Sequence, residues 1–202
     1  MTGLGFVSWA VASRPSPGEE SSGDLSVEAP IPNGVLIGVI DGLGHGVEAA
    51  KAAVEASVTV KRCAGDPIES VLHSCHAALK GTRGAVITLL EMNKEDKTLT
   101  WTGVGNIEGR LWPAVPGATL IRQAPPLRGG VVGHAMPRLS TTVLPLARGD
   151  LVILSTDGVS SDFHEEFRLE GAVQQIADDI LEEYWTAKDD ALVLVARYLG
   201  ER

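Results

Sequence analysis

The stretch Val35-Leu-Ile-Gly-Val-Ile-Asp-Gly-Leu-Gly-His-Gly46 runs from an apolar, β-branched segment onto a carboxylate, then into three glycines around one histidine. β-Branched residues suit a pleated strand, so Val35–Ile40 reads as one that ends at Asp41. An alanine-rich segment of helical period starts at Val47, placing the glycines between a strand end and a helix start. A junction of this kind suits an ion. The carboxylate can hold a cation, and backbone without side-chain bulk can approach an oxyanion.

Working outward, Asp24 precedes a short Leu25–Glu28 strand, and Pro30, Pro32 and Asn33-Gly34 turn the chain back into Val35–Ile40. That is a hairpin, and its two arms would carry Asp24 and Asp41 to the same end of a sheet. Leu4–Ala12 alternates loosely as a first strand, and Arg14–Gly23 is a polar surface loop. The helix spans Val47–Ala64, with Val47, Ala50, Val54, Val58 and Lys61 on one face and Gly65 at its end. Asp66-Pro67-Ile68-Glu69 restarts a helix, with Asp66 as N-cap, Pro67 at the first helical position and Glu69 closing a capping box. Ile68, Val71, Leu72, Cys75 and Leu79 then keep helical period to about Lys80, so two successive helices should lie side by side on a sheet.

Further on, Ala85–Glu91 and Thr98–Val104 form a hairpin around Asn93–Asp96, and Ile107–Trp112 pairs in the same way with Ala118–Arg122. Pro125–Pro137 is a Gly/Pro-rich loop. Leu139–Leu144 and Asp150–Ser155 are strands, a helix runs from about Leu169 to Tyr184, and the strand Ala191–Tyr198 closes the chain. Nine or ten strands in antiparallel hairpins are not the alternation of a parallel sheet. The fold class is therefore α+β, with two packed sheets and helices outside them. No repeat, low-complexity tract or linker divides residues 1–202, which are expected to form a single domain.

Composition narrows the function. Hydrophobic residues make up 44% and charged residues 21%, as in ordinary globular chains. The 26 acidic against 17 basic residues give a net charge of −9, which provides no basic stripe for nucleic acid or an anionic membrane. No apolar run approaches the roughly 20 residues that span a bilayer, and no basic region precedes the first apolar segment, so a cytoplasmic protein is expected. Cys63 and Cys75 lack a Cys-x-x-Cys partner and read as reduced small hydrophobes in neighbouring helices.

Five aspartates begin or end apolar strands beside small residues: Asp24, Asp41, Asp157 in Ser155-Thr-Asp-Gly158, and the pair Asp189-Asp190 ahead of Ala191. One Asp-Gly is a common turn. Several carboxylates at the strand ends of one sheet stack repel each other unless cations neutralise them, and hard divalent ions prefer such oxygen donors.

Gly23-Asp24, Asp41-Gly42-x-Gly-x-Gly46, Thr156-Asp157-Gly158 and Asp189-Asp190 stand in the order found in the metal-dependent (PPM, type-2C) protein serine/threonine phosphatases. The chain resembles that superfamily from about Gly3 to Leu199, most of all its bacterial SpoIIE/RsbU/RsbX branch and the compact RsbX-like stressosome phosphatases. Arg83-Gly84-Ala85 and Leu127–Gly133 look like lesser motifs of the family. The resemblance implies a four-layer αββα sandwich with two Mn²⁺ or Mg²⁺ ions at one end. It also implies that Asp41 bridges both ions, that the Gly42 carbonyl ligates one, and that Asp157 and Asp189 ligate the other. Asp24 would act directly or through water, and Asp190, where many relatives have asparagine, would be accessory. Two cations make a held water acidic enough to attack phosphorus in line while screening the phosphoryl oxygens, so no protein nucleophile is required. The implied substrates are small phosphorylated signalling proteins of a bacterial stress or sporulation pathway, such as STAS-type stressosome or anti-anti-sigma proteins.

The sequence departs from the superfamily at one place that bears on mechanism. Many eukaryotic relatives have a histidine two residues after the bridging aspartate, but here that residue is Leu43 and the histidine is His45. His45 is a candidate for acid–base work or for a surface role at the helix start, and Arg14 is the nearest counterpart of the relatives' phosphate-clamping arginine. Two rival readings remain. One is a phosphatase fold kept as a non-catalytic scaffold. The other is a dinucleotide site on Gly42-x-Gly44-x-Gly46, opposed by its spacing and by the second helix where a strand is needed.

Overall fold

A computed structural model describes residues 2–114, 128–163 and 170–200 of the protein. Ten strands and three helices lie in these residues: β1 (Thr2–Leu4), β2 (Val7–Arg14), β3 (Asp24–Ile31), β4 (Gly34–Gly42), α1 (Val47–Cys63), α2 (Ile68–Ala78), β5 (Ala85–Asn93), β6 (Thr98–Val104), β7 (Glu108–Trp112), β8 (Thr142–Pro145), β9 (Leu151–Ser155), α3 (Val173–Tyr184) and β10 (Ala191–Tyr198). They form two five-stranded sheets, ordered β1-β2-β10-β9-β7 and β3-β4-β5-β6-β8, and every pairing is antiparallel. The α+β sandwich read from the sequence is the fold observed.

Side-chain alternation builds its layers. In β4, Val35, Ile37 and Val39 face the other sheet, where they meet Trp9, Leu154, Leu192 and Leu194. Leu36 and Ile40 face outward and are covered by α1 and α2. In β10, Leu192, Leu194 and Ala196 face inward while Ala191, Val193 and Val195 pack on α3. A strand buried on both faces shows a continuous apolar run, which is why β4 and β10 are the plainest strands in the sequence. The order of layers is therefore helices, sheet, sheet, helix.

The dinucleotide reading fails on this topology. After α1 the chain enters α2 and then β5, which lies antiparallel to β4, so no parallel strand–helix–strand unit follows the glycines.

Several local expectations are corrected. The first strand is two, β1 and β2, with register Leu4 against Val7. On α1 the predicted apolar face is the solvent face: Val47, Val54 and Val58 are each more than half exposed, while Ala49, Ala52, Ala53, Ala56 and Val60 are buried. Small side chains let the helix approach the sheet, and that outweighs the greater hydrophobicity of valine. Asp66 does not cap α2. Pro67 occupies the cap position without a side-chain bond, its carbonyl receives the N–H of Ser70 and Val71, and Glu69 instead accepts a bond from the Thr141 hydroxyl. Strand Ala118–Arg122, Leu127 and Leu169 lie outside the described residues, and the last helix, expected from about Leu169, begins at Val173. Both cysteines are free; Cys63 is half-buried, and burial pushes the Cys75 thiol up to about 12.

Candidate metal centre

Two of the five aspartates come from one sheet. Asp24 opens β3, Asp41 lies one residue before the end of β4, and the two are direct cross-strand partners, as the predicted hairpin required. Like charges placed opposite each other are unfavourable, and burial raises the cost of both. Burial pushes Asp41 up to about 8, with Asp24, Asp157, Asp189 and Asp190 adding repulsion in that order. Burial likewise lifts Asp24 to about 7, against the pull of a Thr156 hydrogen bond and with Asp190, Asp157 and Asp189 reinforcing the rise.

The other sheet supplies the remaining three. Asp157 follows β9, and Asp189 and Asp190 precede β10, its neighbour. Thr156 joins the two sheets at this end. Its hydroxyl donates to Asp24 Oδ2 at 2.7 Å and accepts the Leu192 N–H at 2.8 Å, while its own N–H donates to the Leu192 carbonyl. Asp190 is buried, with Oδ1 accepting the Ser16 N–H and Oδ2 the Gly23 N–H, each at 2.6 Å. It thereby ties both ends of the loop between β2 and β3 to the site. Asp157 is exposed and accepts from Asn106 Nδ2 at 2.9 Å.

Two glycines are explained by close approach rather than by turns. A Cβ at Gly42 would run into the Ala49 carbonyl of α1, and one at Gly158 into the Asp190 carbonyl. Gly44 and Gly46 do adopt left-handed backbone, at φ 84° and 75°, and hold His45 between them. His45 Nδ1 lies 2.7 Å from Glu19 Oε1. Arg83 reaches over Gly44, where an added Cβ would stand 2.7 Å from Nη1.

The donor set consists of carboxylates and the Gly42 carbonyl, all hard oxygen, drawn from both sheets at one end of the sandwich. A buried carboxylate opposite a half-buried one, each holding its proton well above the ordinary 3.8, forms a site that gains from a divalent cation. Among the described residues no three of these side chains close on a single point. Asp157 is turned to Asn106, Asp24 to Thr156 and Asp190 to backbone N–H groups, which is how like charges spread over protein donors.

The family profile described as Stage II sporulation protein E (SpoIIE) matches residues 32–199. The chain belongs to the SpoIIE family. It is 26% identical over 167 residues to the phosphoserine phosphatase RsbX of Bacillus subtilis (strain 168), covering 82% of this chain and 81% of that protein. Among solved structures, one from work on the bacterial stressosome as a modular system adapted to control secondary messenger signalling superposes with TM-score 0.86 at 26% identity, covering 95% of this chain and 99% of that one. The crystal structure of RsbX in complex with magnesium superposes with TM-score 0.86 at 23% identity, covering 98% of each chain. Recognition as an RsbX-like phosphatase of the PPM type, read from four short motifs, stands.

Some site residues escaped sequence reasoning. Thr156 was visible only as the neighbour of Asp157, although a threonine at a strand end is a fair hydrogen-bond candidate. Asn106 and Glu19 carried no signal, being polar residues in turns far along the chain from their partners. His134 donates to the Thr82 and Arg83 carbonyls, and His76 accepts the Gly133 N–H, so both histidines brace the Gly/Pro-rich loop. Trp9 and Trp101 fill the sandwich, but Trp185 lies at the rim, under the Arg14 guanidinium at 5.0 Å, and donates to the Asp189 carbonyl. Arg14 is thus beside the site and stacked on an aromatic ring.

Proposed function

We propose that this protein is a Mn²⁺- or Mg²⁺-dependent protein serine/threonine phosphatase, a single domain acting on a small phosphorylated signalling protein. The observation that carries the reading is the pairing of Asp24 and Asp41 in register on one sheet, with Asp157 and Asp189 at adjoining strand ends of the other. In this reading Asp41 would be the ligand shared between two ions, the Gly42 carbonyl would help to hold one, Asp157 and Asp189 would hold the other, and Asp24 would act directly or through water. Bound there, the ions would make water a nucleophile near neutral pH and screen the phosphoryl oxygens. The chain's own groups set the geometry: Thr156 orients Asp24, Asp190 holds the loop before β3, and Gly42 and Gly158 let backbone close in behind the carboxylates.

By likeness to RsbX and to the stressosome chain, the substrate would be a phosphoserine- or phosphothreonine-bearing stressosome or anti-anti-sigma protein of STAS type. A scaffold without activity would be expected to have lost one of these aspartates, and all are present. The test is phosphate release from a phosphoserine peptide with Mn²⁺ or Mg²⁺. Wild-type protein should turn over, and Asp41→Asn should lose at least about 100-fold in kcat with an unchanged circular dichroism spectrum. Turnover retained in Asp41→Asn would remove the bridging assignment.

A further inference from the structure

At the metal end of the second sheet a loop residue stands where a strand would be expected. β6 stops at Val104, opposite Ile87, which leaves Ala85 and Val86 of β5 beyond its reach. Val132, fully buried, takes that place and exchanges two backbone hydrogen bonds with Ala85, at 2.8 and 3.0 Å. On its other side Ala85 is the register partner of Gly42, and the Gly84 carbonyl accepts the Leu43 N–H. The loop 128–137 is thus one residue pair away from Gly42.

Two histidines hold this loop, and they differ in what a proton does to them. His134 Nε2 lies 3.0 Å from the Arg83 carbonyl and 3.1 Å from that of Thr82. Carbonyls only accept, so this nitrogen carries a proton whether the ring is neutral or charged. His76, half-buried on α2, does the reverse: its Nδ1 accepts the Gly133 N–H at 3.0 Å, so that nitrogen is bare. An imidazolium donates at both nitrogens, and protonation would set N–H against N–H. Gly133 has little room to adjust, since its φ is 101° and a Cβ there would stand 2.9 Å from the Leu79 Cβ. The titratable or charged groups on the elements that meet His76 are His73 one turn earlier on α2, Lys80 just past the helix, Arg83 in the turn before β5 and His134 beside Gly133. β5 offers Ala85, Val86 and Ile87 at this end, and among the described residues no carboxylate is ion-paired with His76.

Histidine is the side chain whose charge ordinarily changes between about pH 5 and 8. We propose that His76 is a proton-sensitive clasp: neutral, it holds the loop 128–137 on β5 and so fixes Gly42, and protonated, it releases Gly133 and loosens the metal end. The consequence for the site rests on the metal-centre reading, whereas the clasp does not. His76 is a positioning residue that acts on Gly42 through Gly133, Val132 and Ala85.

The clasp is tested in metal-free protein by NMR amide exchange of Gly133 and Val132, corrected for the intrinsic pH dependence of exchange. Wild-type protection should fall about tenfold from pH 8 to pH 5, as expected for one lost hydrogen bond. Asparagine carries an acceptor oxygen where Nδ1 stands and does not titrate, so His76→Asn should be equally protected at both pH values. His76→Phe, which has a ring and no acceptor, should show the low-pH level throughout. Nitrogen-15 NMR should find His76 Nδ1 unprotonated at pH 8. Unchanged wild-type protection, an equal fall in His76→Asn, or an Nδ1–H ring at pH 8 would each overturn the clasp. For the site, Mg²⁺ affinity by calorimetry should match in wild type and His76→Asn at pH 8 and be about threefold weaker in wild type at pH 6. Comparing the two proteins cancels the protons that Asp24 and Asp41 bind in both. A ratio that does not change with pH would overturn the coupling to Gly42. Absence of Mg²⁺ binding in either protein would overturn the metal-centre reading and the coupling with it, while exchange still decides the clasp.

Discussion

At Thr156 one hydroxyl serves two strands of different sheets, donating to Asp24 and accepting from Leu192 in a position with no solvent access. Thr156→Val keeps the shape and removes both bonds, leaving the Leu192 N–H and an Asp24 oxygen unpaired inside the protein. An orphaned buried polar group costs about 1–3 kcal/mol, so the melting temperature should fall by several degrees in a chain of this size. The same change removes the hydrogen bond that holds the Asp24 proton affinity down, so Asp24 should titrate higher in the variant than in the wild type, measurable by carboxyl carbon NMR. Asp24, Asp41 and Asp157 were legible in sequence because each stands beside a glycine at one end of an apolar run, and Asp189-Asp190 because the pair opens such a run. Thr156 and Asn106 were not, because their importance comes from partners 132 and 51 residues away.

At the scale of elements, hairpins, doubly buried strands and the apolar face of α2 were legible, and the face of α1 was not. Strand pairing follows from period-2 apolar runs and local turns, and these survive without knowledge of the partner. The face of α1 depends on how near the sheet lies. Gly42 and Gly23 admit the helix so closely that a Cβ at Gly42 would strike the Ala49 carbonyl, and one at Gly23 would stand 2.8 Å from the Ala49 Cβ. Only alanine-sized side chains fit beside these glycines, and Val47, Val54 and Val58 are left in water. Two substitutions separate this arrangement from the face first predicted. Val54→Ser should change stability by no more than about 0.5 kcal/mol, since Val54 is more than half exposed. Ala53→Leu, a substitution that adds hydrophobicity, should destabilise by about 1–3 kcal/mol through overpacking, in urea melts of both variants. The reverse ranking would restore the valine face as the buried one.

Over the whole molecule, the carboxylates come from two sheets that are otherwise joined chiefly by apolar contacts, so a cation held among them would act as a cross-link at one end of the sandwich. Its effect on stability depends on pH in a direction that can be worked out. Asp24 near 7 and Asp41 near 8 lie above the ordinary 3.8, so between about pH 4 and 8 the folded protein holds protons that the unfolded chain has released. Without a divalent ion, these two groups contribute their full stabilisation below 3.8, and it is lost as pH rises through 7 and 8. A divalent ion displaces the protons and reverses the penalty, most strongly where the carboxylates are already charged. At about a hundredfold excess over its Kd the ion should add roughly 2.7 kcal/mol, or on the order of 5–10 °C in Tm. Paired thermal melts with Mg²⁺ or Mn²⁺ and with a chelator should therefore diverge little at pH 6 and widely at pH 8.5. For Asp41→Asn the two curves should lie close together at both. A metal-induced shift that is constant from pH 6 to 8.5 would mean that the ion binds away from the Asp24–Asp41 pair.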